Sequence, residues 1–460
     1  MKYKKRHPLI VGTILLTITG LVSRIIGFFY RIYLSRLFGE EGMGIYQLLN
    51  PVLSLSFSLT AAGYQTSISK FVAEQTAREK RSSFQPLLVG LSISLPLSLL
   101  CNAVVFLGAD FIGVHLLLEE RTVSMLRILS FSIPLSAVHS CINGYFYGIK
   151  RAGVPAGSQL VEQMTRVASV YLVSAYAFTK GQLPTINVAV LGLAVGELVS
   201  MLVAIAAITL RYGKERGGFP NRHVLSRTGQ TLSLQTETLQ FPILQASVYR
   251  SILSMALPLT ANRIVLNLLQ SIESVSIPAR LRVYGYDTAT SLSVYGVLTG
   301  MAMPLIFFPN ALTSSVAVLL LPIISENYAL GDTKAVKTAT IRTVKYCLLM
   351  GFSCMCGFVL LGSWAGRTLF HSPLAGHFIR TLGFVCPFLY LDTTLSSILQ
   401  GLGMAGHIFV MNVICMFLRL SFVLLLIPHV GITGYLWGLL VSQLLLSILY
   451  LLCLFRFLRK

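Results

Sequence analysis

Arginine and amide side chains recur at helical spacing inside stretches too apolar for a water-soluble protein. Arg24 shares one helical face with Thr13, Thr17 and Gly20, and that face continues through Phe28 and Arg31. Arg263, Asn267, Gln270 and Ser274 follow one another at four, three and four residues. Neither Arg24 nor Arg263 has an acidic residue three or four positions away. A guanidinium stays charged at any physiological pH and presents a planar fork of donors suited to phosphate. Ionisable groups at membrane depth are costly, and without a local partner they read as functional. The chemistry on offer is capture of an anion by Arg24 and Arg263, with Asn50, Asn267 and Gln270 free to contact hydroxyls or water. The competing reading is polar contact between neighbouring helices.

Other charges are expected to be structural. Glu162 precedes Arg166 by four residues, the favourable order for an ion pair along one helix. Arg419 has Cys415 at the equivalent place, so its partner must come from another helix, with Asp392 the candidate. Arg127, Arg380 and Lys345 lie near helix ends and can snorkel to the interface. Glu197 and Glu273 are the carboxylates that a cation-binding cavity would use. His139 reads as a packing residue. All eight cysteines fall in apolar stretches without metal-ligand spacing, which predicts buried, reduced thiols and no metal site. No cofactor-binding motif occurs.

The elements that hold these residues follow from composition. Mean hydropathy is +0.75, hydrophobic residues make up 55% and charged residues 11%, which together exclude an ordinary soluble protein. A membrane-crossing helix needs about 20 apolar residues. The sequence predicts an all-α integral membrane protein with twelve spans, near 9–33, 44–69, 86–108, 122–147, 155–179, 185–210, 251–275, 291–323, 341–362, 376–400, 407–427 and 431–455. In the eighth, Pro304, Pro309 and Asn310 interrupt the regular backbone, as cavity-lining helices allow. A polar, basic stretch at 211–250 divides an N-terminal six-helix lobe (1–210) from a C-terminal one (251–460).

The halves repeat one another. At an offset of 253 residues, Arg127, Phe131, Pro134, Gly148 and Arg166 fall on Arg380, Phe384, Pro387, Gly401 and Arg419. At 242, Gly192 and Gly196 fall on Gly434 and Gly438; at 239, Arg24 falls on Arg263. Two pseudo-symmetric bundles around a central site is a common transporter plan. The glycines Gly20, Gly27 and the Gly148/Gly401 pair are expected to permit close helix approach.

The net charge of +20 is a topology signal. With the N-terminus inside, the predicted inner segments hold 22 of the lysines and arginines and the outer loops 7, Arg31 among the latter. Both termini are therefore expected in the cytoplasm, and nucleic acid is not an expected partner. The N-terminal apolar run lacks a small-residue cleavage site and reads as a retained first helix.

The stretch Ser23-Arg24-Ile25-Ile26-Gly27-Phe28, then Arg31, Leu34, Arg36, Gly39-Glu40-Glu41-Gly42-Met43-Gly44-Ile45-Tyr46-Gln47, and Ser69-Lys70-Phe71-Val72-Ala73-Glu74, resembles the stage V sporulation protein B family. That family lies within the superfamily of multidrug, oligosaccharidyl-lipid and polysaccharide exporters, and the resemblance is strongest over residues 10–80. It implies a flippase that carries an undecaprenyl-diphosphate-linked oligosaccharide from inner to outer leaflet by alternating access, such as the peptidoglycan precursor lipid II, for spore cortex. It also implies that Arg24 and Arg263 hold the diphosphate. The lipid II flippases of the superfamily usually have fourteen helices, whereas this sequence predicts twelve. Membrane lipids and cell-wall synthesis enzymes are the other partners such a role would bring.

The rivals are a drug/cation antiporter of the same fold, working through Glu197 or Glu273, and a non-transporting scaffold of a cell-wall synthesis complex. An enzyme is not expected: no nucleotide loop, metal cluster or acid–base pair in a polar setting appears.

Overall fold

The computed structural model describes residues 8–79, 84–217 and 246–458. Most of the predicted linker, 218–245, and the basic residues Lys2, Lys4, Lys5, Arg6, Lys80 and Arg81 lie outside the described residues. No strand occurs among the described residues, and the chain is a two-lobed, twelve-helix membrane protein. Large side chains such as Leu107, Leu172, Leu360 and Trp364 stand exposed on its flanks, as a lipid-facing surface requires.

The first crossing ends at one residue. Helix continues from Pro8 to Gln47, but Gly39 inside it has φ 71° and ψ −172°. That conformation is essentially reserved for glycine. The second crossing therefore begins at Glu40, where the sequence predicted a ten-residue connection over 34–43. It continues through Asn50–Phe57, a wide turn at Ser58–Ala62 and Gly63–Glu79. The third crossing is Gln85–Leu107, the fifth Gly153–Thr179, the sixth Asn187–Gly217 and the seventh Ala246–Tyr284. The eighth runs from Thr288 to Ala329. It is interrupted at Phe308 and Pro309, which keep right-handed helical dihedrals. The ninth is Thr333–Phe370, the eleventh Ala405–Leu425 and the twelfth Ile432–Leu458.

By length and hydropathy alone, 10 described helices could cross a membrane, or 11 counting one bent pair; the eighth crossing supplies two of them, and the second crossing has none of its own. Gly153–Thr179 falls short because it carries Gln159, Glu162, Gln163 and Arg166.

The fourth and tenth crossings break at equivalent places. Thr122–Ser130 gives way to Ser132–Gly148 at Phe131, and Pro373–Gly383 bends by 56° into Cys386–Gly401 after Phe384. Pro134 and Pro387 explain both breaks. Each lacks an amide hydrogen, and its ring would clash with the carbonyl four residues back, at Ser130 or Gly383. The sequence predicted a single unbroken helix in each case.

Glycines set the spacing within each lobe. A Cβ on Gly148 would lie 2.7 Å from the carbonyl oxygen of Ser69 and from Val72, and one on Gly401 would lie 3.0 Å from the carbonyl of Leu321 and from Ile324. The repeated pair thus seats the fourth crossing on the second and the tenth on the eighth. Gly20, by contrast, has nothing within 4 Å, and Gly27 meets only the Gln163 side chain. Gly20 therefore mediates no helix contact in this state, and Gly27 makes room only for the Gln163 side chain of the fifth crossing.

The lobes share a core at one end only. Leu34, Leu48, Met125, Leu298, Phe378 and Tyr390 belong to one buried cluster drawn from both lobes. This is the end that holds Gly39. Toward the other end the cores separate, one around Tyr145 and Ile68 and one around Ile398 and Tyr450. There the seventh crossing still leans on its neighbour: the Thr260 hydroxyl occupies the space a Cβ on Gly63 would need.

Polar contacts reinforce the Gly39 end. Arg36 donates from Nε to the Leu369 carbonyl at 2.9 Å and from a terminal nitrogen to Thr368 at 2.8 Å. Those carbonyls belong to the last turn of the ninth crossing, which has no intrahelical donors for them. Arg121 pairs with Glu119 at 2.6 Å and Glu41 at 2.7 Å. Arg282 reaches the Leu118 carbonyl at 3.3 Å.

Candidate substrate cavity

Below this seal the lobes enclose a cavity of about 1040 Å³. The first crossing supplies Arg24 and Arg31, seven residues and about 10 Å apart along one helical face. Among the described residues neither arginine makes an ion pair or hydrogen bond, and both are exposed to the cavity. The second crossing adds Gln47 and Asn50 just past the Gly39 turn, and the Asn50 amide donates to Gln47 Oε1. From the other lobe, the seventh crossing contributes Gln270, Ser271 and Ser274. Two unpaired guanidiniums among amides and hydroxyls make a receptacle for an anion bearing hydroxyl groups.

Sequence reasoning brought some of these residues together and misplaced others. Arg24, Asn50 and Gln270 line the cavity; Arg263 and Asn267 do not. Asn267 donates to the Ser54 carbonyl at 3.3 Å and to the Ser58 hydroxyl, so it ties the seventh crossing to the second. Arg263 is exposed on the same face as Gln270, about 10 Å further from the seal. Arg31, counted as an outer-loop residue, is the missed one. The signal was present, since position 31 closes two helical turns from Arg24. Predicting a loop from residue 34 placed it too near a helix end.

The remaining charges are mostly paired. Arg166 donates to Glu162 as the spacing required, and Arg166 also lines the cavity. Arg419 pairs with Glu273 at 2.7 Å, not with Asp392. The seventh crossing is thus its neighbour, and Glu273, one of the two carboxylates the rival cation reading would use, is occupied. Asp392 instead accepts from Gln443 at 2.9 Å and Ser447 at 2.6 Å, both on the twelfth crossing. His139 is more than packing, because its Nδ1 lies 3.1 Å from Glu197. Arg127 pairs with Asp110 at 2.8 Å, partly exposed. The eight cysteines are free, and Cys356 is exposed where a buried thiol was expected.

Known proteins share this architecture. The chain is 28% identical over 97% of its length to stage V sporulation protein B of Bacillus subtilis, covering 83% of that protein. It is 24% identical to the lipid II flippase MurJ of the same organism, over 86% of this chain and 73% of that one. Among solved structures, a lipid II flippase MurJ in an inward closed conformation superimposes with a TM-score of 0.69 at 15% identity, over 96% of this chain and 87% of the other. An inward-facing multidrug resistance transporter follows at 0.66 and 16%, over 94% and 93%. These likenesses carry the fold, two lobes of six helices each. Residues 9–328 match the family described as polysaccharide biosynthesis protein, which is most of the chain, and the protein belongs to that family.

Proposed function

We propose that the protein is a flippase for a polyprenyl-diphosphate-linked oligosaccharide, a peptidoglycan precursor such as lipid II being the leading substrate. One observation carries the reading. Arg24 and Arg31 face the cavity between the lobes without any neutralising partner among the described residues. A pair of free guanidiniums in a low-dielectric cavity favours a multiply charged anion, and a diphosphate offers oxygens to both forks. Gln47, Asn50 and Gln270 suit the hydroxyls of a sugar.

The distribution of lysine and arginine puts the Gly39 end outside. The described state is then sealed outward, with Arg263 on the inward approach to Arg24 and Arg31. The anion enters from the cytoplasmic leaflet, the seal opens, and the prenyl tail remains in lipid throughout. A membrane potential negative inside would favour export by about 2.3 kcal/mol per charge per 100 mV. The neighbours that export drugs keep a cation antiporter in view. Yet Glu197, the carboxylate that lines the cavity, already faces His139.

The test is flipping of a diphosphate-linked prenyl sugar in proteoliposomes, wild type beside Arg24→Ala and Arg31→Ala. Flipping by wild type and its loss in both variants is expected. Undiminished flipping in both would remove the anion site, and a wild type inert toward this lipid but active on organic cations would favour the antiporter.

A further inference from the structure

The wall of the cavity holds a second polar centre. Glu162 on the fifth crossing, Glu197 on the sixth and His139 on the fourth bring one ligand-type atom each within 4.8 Å of one another. Gly196 explains the proximity, since a Cβ there would lie 3.0 Å from the Glu162 carbonyl and 3.3 Å from Arg166. A larger residue would press on the fifth crossing by a few tenths of an ångström, so glycine favours this close approach, and Glu197 is the next residue. His139 Nδ1 and Glu197 Oε2 face one another at 3.1 Å, yet both are buried and neither makes a hydrogen bond of proper geometry, to the other or to any other described atom. Glu197 and Arg166 open onto the cavity.

We infer that His139, Glu162 and Glu197 form a proton-binding site in the cavity wall, loaded together with the anionic head group. Two carboxylates this close repel, and with Arg166 as the one fixed cation against them among the described residues the cluster carries a net negative charge until a proton arrives. A divalent metal fits less well, because the Arg166 guanidinium already occupies Glu162. Around the site, Arg31, Tyr30 and Tyr46 lie within electrostatic reach of Arg166. The third crossing adds no acidic or basic residue over Gln85–Leu107. An anion bound at Arg24 and Arg31 compensates the positive charge that the proton brings, so each ligand strengthens the other by the same factor. The opposite lobe places Asp392 at the position equivalent to His139, 253 residues on, and it too faces the last helix of its lobe.

The inference rests on the anion reading, and the experiment separates the two. Farnesyl diphosphate is titrated calorimetrically into the full-length, detergent-solubilised protein between pH 6 and 8, in buffers of different ionisation enthalpy. Wild type is expected to take up to about one proton per bound ligand beyond that of His139→Gln or Glu197→Gln, with affinity rising up to about tenfold per pH unit of acidification. The ligand's own titration is common to all three proteins and cancels. Binding with identical proton uptake in wild type and both variants overturns the proton site and leaves the anion site standing. No binding by wild type overturns both. The two substitutions lie on different crossings, so a folding defect in one leaves the other to decide.

Discussion

Gly44 and Gly296 cross with no side chain between them. A Cβ on Gly296 would fall 2.4 Å from the Gly44 nitrogen, and one on Gly44 would fall 2.1 Å from the Leu292 carbonyl oxygen. Each glycine belongs to a different lobe, so this crossing is where the cavity is shut at the Gly39 end. Gly296→Ala has no space to fill without separating the helices. Overpacking of this kind costs about 1–3 kcal/mol, enough to shift the sealed population by about 5–150-fold. The check is alkylation of a Leu34→Cys reporter, fully buried when sealed, by an impermeant thiol reagent in a background with the eight native cysteines replaced. Faster alkylation beside Gly296→Ala than beside Gly296 is expected; equal rates would show the crossing is not the seal.

Arg31 should matter as much as Arg24. Arg31→Gln is expected to lower flipping about tenfold or more, the loss of one charge-assisted contact of roughly 1.5–3 kcal/mol. Arg31→Lys should fall between, keeping the charge but not the planar fork. Initial flipping rates at matched protein density decide it, and full activity in Arg31→Gln would remove Arg31 from the anion site.

Asn267 should behave as a tie between lobes. Its amide is used by Ser54 and Ser58, so Asn267→Ala is expected to leave head-group affinity within about twofold while changing the rate of lobe movement. A large fall in affinity, measured on the same farnesyl diphosphate probe, would restore it to the binding site.

Arg419 and Glu273 test the cost of a lone charge. Both are largely buried, and the pair joins the seventh crossing to the eleventh. Glu273→Leu alone should destabilise by about 3–5 kcal/mol, whereas Glu273→Leu with Arg419→Leu should recover much of that. Thermal unfolding in detergent reads both, and a double variant no more stable than the single one would contradict this account.

The crossings were legible because hydropathy reports burial in lipid one residue at a time. What the sequence hid were events set by single backbone positions. The turn at Gly39 leaves no polar gap, so the hydrophobic pattern runs past it. Pro134 and Pro387 were visible in the repeat, but that each ends a helix at the residue four back shows only when the neighbouring crossing fills the bend. The candidate site was half visible. Stripes on the first and seventh crossings marked Arg24 and Gln270, yet a stripe cannot distinguish a cavity from a neighbouring helix, and Asn267 found the neighbour. Arg419 chose Glu273 over Asp392 because packing between distant segments made the choice.

The bonds from Arg36 to Thr368 and Leu369 end on main-chain carbonyls. Carbonyls do not titrate, and no substitution at position 368 or 369 short of proline-like distortion deletes them. This clasp is therefore blind to acidity and tolerant of mutational drift on its receiving side. A change of acidity that altered what the cavity holds would leave these two bonds as they are, whatever it did to the ion pairs of Arg121 beside them.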